Sequence, residues 1–209
     1  MNYDTAQLMD LIRKYDKPGP RYTSYPTAVQ FSETYGATDY LHDLAAVNRS
    51  PENPLSLYVH LPFCEARCAF CACNVIIAAH GDVPRKYLDF LQREIDKVAA
   101  YLPHRRKVAQ LHFGGGTPTF QSPTELRALY RSITRDFEIL PGAEVAIEID
   151  PCVTSEEHMI ALREMNFNRL SFGVQDLNQD VQQAIKRNQS VADTDRLYHI
   201  ARDLGFNSI

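Results

Sequence analysis

A chain of 209 residues, 44% hydrophobic and 23% charged, has the composition of an ordinary soluble globular protein and the length of one domain or two. Its formal net charge of -4 supplies no extended basic field, and the one dense basic run, His104-Arg105-Arg106-Lys107, reads as a solvated connection, so nucleic acid is not an expected partner. No apolar run of about 18 residues occurs, and MNYDTAQLMDLIRKYD mixes acids into its apolar positions, unlike a signal or transit peptide; no membrane association and a cytoplasmic location are expected.

Residues 1–53 form an N-terminal arm with two helix candidates, around Ala6 to Tyr15 and Thr38 to Val47. Between them GPRYTSYPTA carries Pro18, Gly19, Pro20 and Pro26, which forbid regular helix. From residue 54 the pattern changes. LSLYVH (55–60), VAQLHF (108–113), EVAIEI (144–149) and RLSFGV (169–174) read as strands. Between them, Leu88, Leu91, Ile95, Val98 and Leu102 stripe a helix starting near Pro84. Ser122-Pro123-Thr124-Glu125 is a capping box with proline at the first helical position, and Thr154-Ser155-Glu156-Glu157 opens a third helix. Leu197, Ile200, Ala201 and Leu204 stripe a fourth, stopped at Gly205.

This alternation predicts an α/β fold, a partial TIM-like (β/α) barrel of parallel strands with an N-terminal extension. A closed barrel takes about 250 residues, whereas four strand-helix units are present, so 54–209 reads as the first part of a barrel. The sequence reads as the front part of a larger protein.

Four of the five cysteines lie in CEARCAFCAC, residues 64–73, just beyond the first strand. That is the end of a parallel sheet where active sites form. An odd, clustered set of thiols suits a metal or redox site better than a disulfide framework. Cys64, Cys68 and Cys71 stand as C-x3-C-x2-C. Spacing alone leaves open an iron-sulfur cluster, a zinc site completed by Cys73, or buried thiols without a metal. Three loop thiolates on a [4Fe-4S] cluster leave one iron open to a ligand.

Elsewhere, the glycines of LHFGGGTPT end a strand, and Gly114 to Thr117 offer amides and a hydroxyl to a ligand; no Lys-Ser/Thr pair follows, so this is not a P-loop. Glu148 and Asp150 share one side of their strand and are costly to bury unpartnered. Tyr58 reads equally as core or site, Arg187 as a surface charge, and His60 and His112 as satisfied core histidines.

With these residues in view, the sequence resembles the radical S-adenosylmethionine superfamily, whose C-x3-C-x2-C loop follows the first barrel strand. LSLYVHLPFC, the extra Cys73, LHFGGGTPT, EIDP, RLSFGVQD and the arm PRYTSYPTA resemble, within it, the oxygen-independent coproporphyrinogen III oxidase family. Family members continue into the rest of the barrel and a C-terminal domain, both absent here. The resemblance implies an oxidoreductase with a [4Fe-4S] cluster on Cys64, Cys68 and Cys71, Cys73 not being a ligand. It also implies two S-adenosylmethionine molecules per subunit. Tyr58, Gly115 and Glu148 would meet the first; Phe70, Gly116, Thr117, Gln175 and Arg187 would meet the second.

The implied reaction is oxidative decarboxylation of two propionates of coproporphyrinogen III to vinyl groups by a 5'-deoxyadenosyl radical, giving protoporphyrinogen IX in haem biosynthesis. An electron donor for the cluster is the other implied partner, and the implied state is a monomer. Arg21, Tyr22 and Tyr25 of the arm are candidate substrate contacts, because guanidinium pairs well with carboxylates. Two other readings are a haem chaperone or other tetrapyrrole-acting relative, and a non-enzymatic zinc or iron-sulfur module.

Overall fold

The computed structural model describes residues 4–17, 27–187 and 189–209. The chain divides into two compact units, Met1–Leu41 and His42–Ile209. In the first, helix α1 (Thr5–Tyr15) is started by Asp4, whose carboxylate accepts from Gln7 N while the Gln7 side chain returns to the Asp4 amide. Helix α2 (Ala37–Val47) begins in this unit and runs into the second.

The second unit is built on an all-parallel sheet in the order β1-β4-β5-β6, with β1 Leu55–Leu61, β4 Lys107–Gly115, β5 Glu138–Ile149 and β6 Arg169–Phe172. Successive side chains of a strand point to opposite faces. Val59, Leu61, Leu111, Phe113, Val145, Ile147, Ile149 and Leu170 therefore share one buried face. They form a core with residues of helices α3 (Asp82–Tyr101), α4 (Pro123–Asp136), α5 (Glu156–Glu164) and α7 (Val191–Asp203). Tyr58, His60, His112, Glu148 and Ser171 alternate with these residues and lie on the other face. The expected part of a parallel (β/α) barrel is thus present. Among the described residues no helix is long and apolar enough to cross a membrane.

The helix starts follow their caps. Ser122 accepts from Glu125 N and receives Glu125 in return at α4, and Ser190 caps α7. At α5 the reciprocal partner of Ser155 is a histidine, His158, rather than an acid. Helix α7 stops at Gly205, whose φ of 85° favours glycine.

Three features differ from the sequence expectations. Strand β5 starts at Glu138 rather than 144, because residues 138 and 139 pair with Lys107 and Val108 before a register shift admits Pro141-Gly142. A two-stranded parallel ribbon, β2 (Phe63–Cys64) with β3 (Ile76–Ile77), brackets the cysteine loop. Helix α6 (Gln179–Ala184) is short, and Asn178 Oδ1 caps it by accepting from Asp180 N and Val181 N. The basic run is structural at Arg105, whose guanidinium donates to the carbonyls of Val47, Asn53 and Pro54.

Candidate functional site

The cysteine loop leaves β1 through Leu61 and Pro62. It is closed at its far end by Ile76 N donating to Pro62 O and Ala78 N to Cys64 O, at 2.8 and 3.1 Å. Inside it, Cys71 N donates to Cys68 O, and Ala69 N donates to Ile185 O at 2.9 Å. The carbonyl end of α6 therefore anchors the loop between two of its motif cysteines.

None of the five cysteines is joined in a disulfide. Burial pushes the Cys64 thiol up, Cys71 and Cys68 push it further, and a contact with the Thr117 hydroxyl at 3.5 Å works against them. Cys152 lies outside the loop, and its thiol is pushed up to about 11 by burial and by Asp150.

The end of β4 locks onto this loop. Gly116 N donates to Leu61 O and Thr117 N to Phe63 O, both at 2.9 Å. A β-carbon on Gly116 would lie 2.7 Å from Pro62 O and 2.8 Å from Phe63 O, so only glycine fits. The amide cradle expected for a ligand is therefore corrected. The Gly116 and Thr117 amides hold the cysteine loop, and the Gly115 amide helps hold the Glu148 carboxyl below its ordinary value. Gly115, Gly116 and Thr117 are what this turn places on the cavity.

Tyr58, expected equally as core, is 59% exposed on the open sheet face. Its hydroxyl lies 3.0 Å from His60 Nδ1, and His60 Nε2 lies 2.9 Å from Asn74 O. A carbonyl only accepts, so Nε2 carries the proton and Nδ1 accepts from the tyrosine. Burial and then Glu148 hold the Tyr58 phenol above its ordinary value. Glu148 is held below the usual carboxylate range, chiefly by the hydrogen bond from His112 Nε2 at 3.4 Å. His60 and His112 thus stand on the open face rather than in the core.

Arg187 is not a surface charge: its side chain is 10% exposed. It pairs with Asp150 at 2.8 Å and donates to Gly173 O at 2.8 Å, Gln189 Oε1 at 3.2 Å and Cys68 Sγ at 3.4 Å. Its Nε is buried without a partner among the described residues.

One cavity of about 290 Å³ is lined by Cys64, Cys68, Phe70 and Cys71, by Gly115, Gly116 and Thr117, and by Glu148, Gln175 and Arg187. Gln175 adopts a φ of 65°. Tyr58 is placed on the same sheet face without lining this cavity. Arg21, Tyr22 and Tyr25 lie outside the described residues.

Among the described residues no three histidine, cysteine or acidic groups converge on one metal-ion position. Thiolates that each meet a different iron of one cluster need no such common point. Three thiols on one loop, the Arg187 guanidinium beside Cys68 and its unpaired Nε suit an anionic thiolate cluster. Sequence reasoning missed Ile185 O, Asn74 O, His60 and His112 as site-building groups. Their roles rest on pairings between distant segments that no local pattern encodes.

The profile of the Radical SAM superfamily matches residues 58–209. The chain is 48% identical over 202 residues to oxygen-independent coproporphyrinogen III oxidase of Pseudomonas aeruginosa, covering 96% of this chain and 44% of that protein. It is 47% identical over 141 residues to the protein of the same name from Mannheimia haemolytica, covering 68% of this chain and 94% of that one. The solved structure of coproporphyrinogen III oxidase from Escherichia coli, described as a radical SAM enzyme, superposes with a TM-score of 0.84 at 40% identity, over 99% of this chain and 44% of that one. The chain thus spans less than half the length of the Pseudomonas and Escherichia proteins.

Proposed function

Because the chain belongs to the radical SAM superfamily and, within it, to the family of the oxygen-independent coproporphyrinogen III oxidases, we propose that it supplies the cluster and cofactor site of such an enzyme. Membership carries an iron-sulfur cluster and the binding of S-adenosylmethionine. The reaction is the conversion of two propionates of coproporphyrinogen III to vinyl groups. Each propionate gives one hydrogen atom to the 5'-deoxyadenosyl radical and one electron to a one-electron acceptor, and releases carbon dioxide. Residues 54–209 form the first part of the barrel, and the arm 1–53 is a separate element whose Arg21, Tyr22 and Tyr25 meet substrate carboxylates.

When bound, a [4Fe-4S] cluster with an open iron supplies the electron that cleaves S-adenosylmethionine to the radical that takes the hydrogen atom. Cys64, Cys68 and Cys71 hold it, and Arg187 donates to the Cys68 sulfur and stabilises its thiolate. Glu148, kept ionised, accepts from the ammonium or ribose hydroxyls of the cofactor, with Tyr58 and Gly115 beside it. Phe70, Gly116, the Thr117 hydroxyl, Gln175 and Arg187 receive a second S-adenosylmethionine. The whole protein works as a cytoplasmic monomer with a separate electron donor.

The single observation that carries this reading is the cavity, which gathers the motif thiols, the glycine turn, Glu148, Gln175 and Arg187 from five separate stretches of sequence. The test is anaerobic incubation of the full-length protein, cluster loaded, with S-adenosylmethionine, a one-electron reductant, a one-electron acceptor and coproporphyrinogen III. Protoporphyrinogen IX with two carbon dioxide per substrate is expected, and Cys68→Ser abolishes it. A fully loaded protein that cleaves the cofactor yet leaves the tetrapyrrole unchanged would contradict the substrate assignment.

A further inference from the structure

Glu148 and Tyr58 come from strands that are not neighbours, and His112 on β4 is the side chain between them. The register aligns Tyr58 with His112 and His112 with Ala146, two residues before Glu148 on the same face. The imidazole stacks on the Tyr58 ring with centroids 5.8 Å apart and planes 13° from parallel. Its Nε2 reaches Glu148 Oε1 at 3.4 Å. An ionised carboxylate only accepts, so the proton of that bond sits on His112 Nε2.

The first glycine of the motif gives an independent observation. A β-carbon on Gly114 would stand 3.0 Å from His112 Nε2 and 3.0 Å from Tyr58 Cε2. Its ordinary backbone conformation does not require glycine, since it has no positive φ. The missing side chain leaves room for these two rings to lie together.

We infer that His112 is a positioning residue of the cofactor site, orienting Glu148 while its ring buttresses Tyr58. With His112 Nε2–H engaging Oε1 and Glu148 lining the cavity, the carboxylate keeps lone pairs for incoming donors. Among the groups lining the cavity, His112 hydrogen-bonds Glu148. The inference rests on the reading above that Glu148 meets S-adenosylmethionine.

The test is calorimetric titration of S-adenosylmethionine into the full-length, cluster-loaded protein, run on wild type, His112→Phe, His112→Gln, Glu148→Gln and the His112→Phe/Glu148→Gln double variant. Phenylalanine keeps a stacking ring and removes the donor. Glutamine keeps a donor near the Nε2 position. About a tenfold or greater loss of affinity is expected for His112→Phe, with substantial recovery in His112→Gln. The double variant is expected to bind no worse than Glu148→Gln alone, because the two changes remove one shared interaction.

Wild-type affinity in a folded His112→Phe, or additive losses in the double variant, would overturn the inference while leaving the functional reading standing. Failure of the wild type itself to bind would overturn the functional reading, and the inference with it. Recovery by glutamine separates positioning from mere packing, since glutamine replaces the donor and not the ring.

Discussion

Replacing Gly116 with alanine tests how the β4 turn and the cysteine loop are joined. The backbone there is not in the left-handed region, so alanine meets no conformational penalty. Its β-carbon would lie 2.7 Å from Pro62 O and 2.8 Å from Phe63 O, both backbone atoms that cannot swing aside. Overpacking of this kind costs about 1–3 kcal/mol. Relief requires moving the strands apart, which stretches Gly116 N to Leu61 O and Thr117 N to Phe63 O, bonds worth about 0.5–1.5 kcal/mol each. A loss of about 2–6 kcal/mol is expected, a large share of a typical domain's stability.

Gly142→Ala is the control, having the strained φ of 80° and no atom within 4 Å of an added β-carbon. It should cost only about 1–2 kcal/mol of backbone strain. Denaturant unfolding of both variants, with iron content after reconstitution, is the assay. Gly116→Ala is expected to be the less stable and to retain less iron. Equal or smaller destabilisation than Gly142→Ala, with full iron, would refute the packing argument.

Arg187→Met leaves Asp150, 22% exposed, without its partner and strips a donor from Cys68; a loss of about 3–5 kcal/mol is expected by denaturant unfolding, with weaker iron retention. His158 accepts from Ser155 N at Nδ1 and so donates from Nε2 to Gln121 O; burial holds its pKa below the usual histidine value. Its neutral form is favoured in the fold, so its contribution is intact above the unfolded value near ~6.5 and is lost as pH falls below it. His158→Gln should flatten the slope of stability against pH in that acid range, and an unchanged slope would contradict the assignment. Cys152, with its thiol pushed up to about 11, holds about a hundredfold less thiolate at neutral pH than a thiol at the ordinary value of 9.0 and should alkylate more slowly. Cys152→Ser should leave the iron content unaltered.

What the sequence made legible was local chemistry. Ser122-Pro123-Thr124-Glu125 announces a helix because cap, proline and acid interact within one turn, and α4 begins there. The strand alternation fixes which side Glu148 faces, and the cysteine spacing marks the loop. What stayed hidden depends on distant partners. Arg187 in AIKRN carries no pattern that separates it from a solvated charge, and its burial follows from Asp150, Gly173 and Cys68. The glycine turn looked like a ligand cradle because free amides and amides bonded to Leu61 and Phe63 look alike in one dimension. His158 at a position usually filled by Glu or Gln in a capping box is legible only once Gln121 O is seen to accept its second nitrogen.

The central claim is that Cys64, Cys68 and Cys71 hold a cluster with one iron open to the cofactor. It is tested most directly by electron paramagnetic resonance of the anaerobically reconstituted, reduced full-length protein, with and without S-adenosylmethionine. A [4Fe-4S] signal that shifts on adding the cofactor, and disappears in Cys68→Ser, is the predicted result. A protein that takes up zinc in place of iron, or a cluster signal indifferent to the cofactor, would contradict the account.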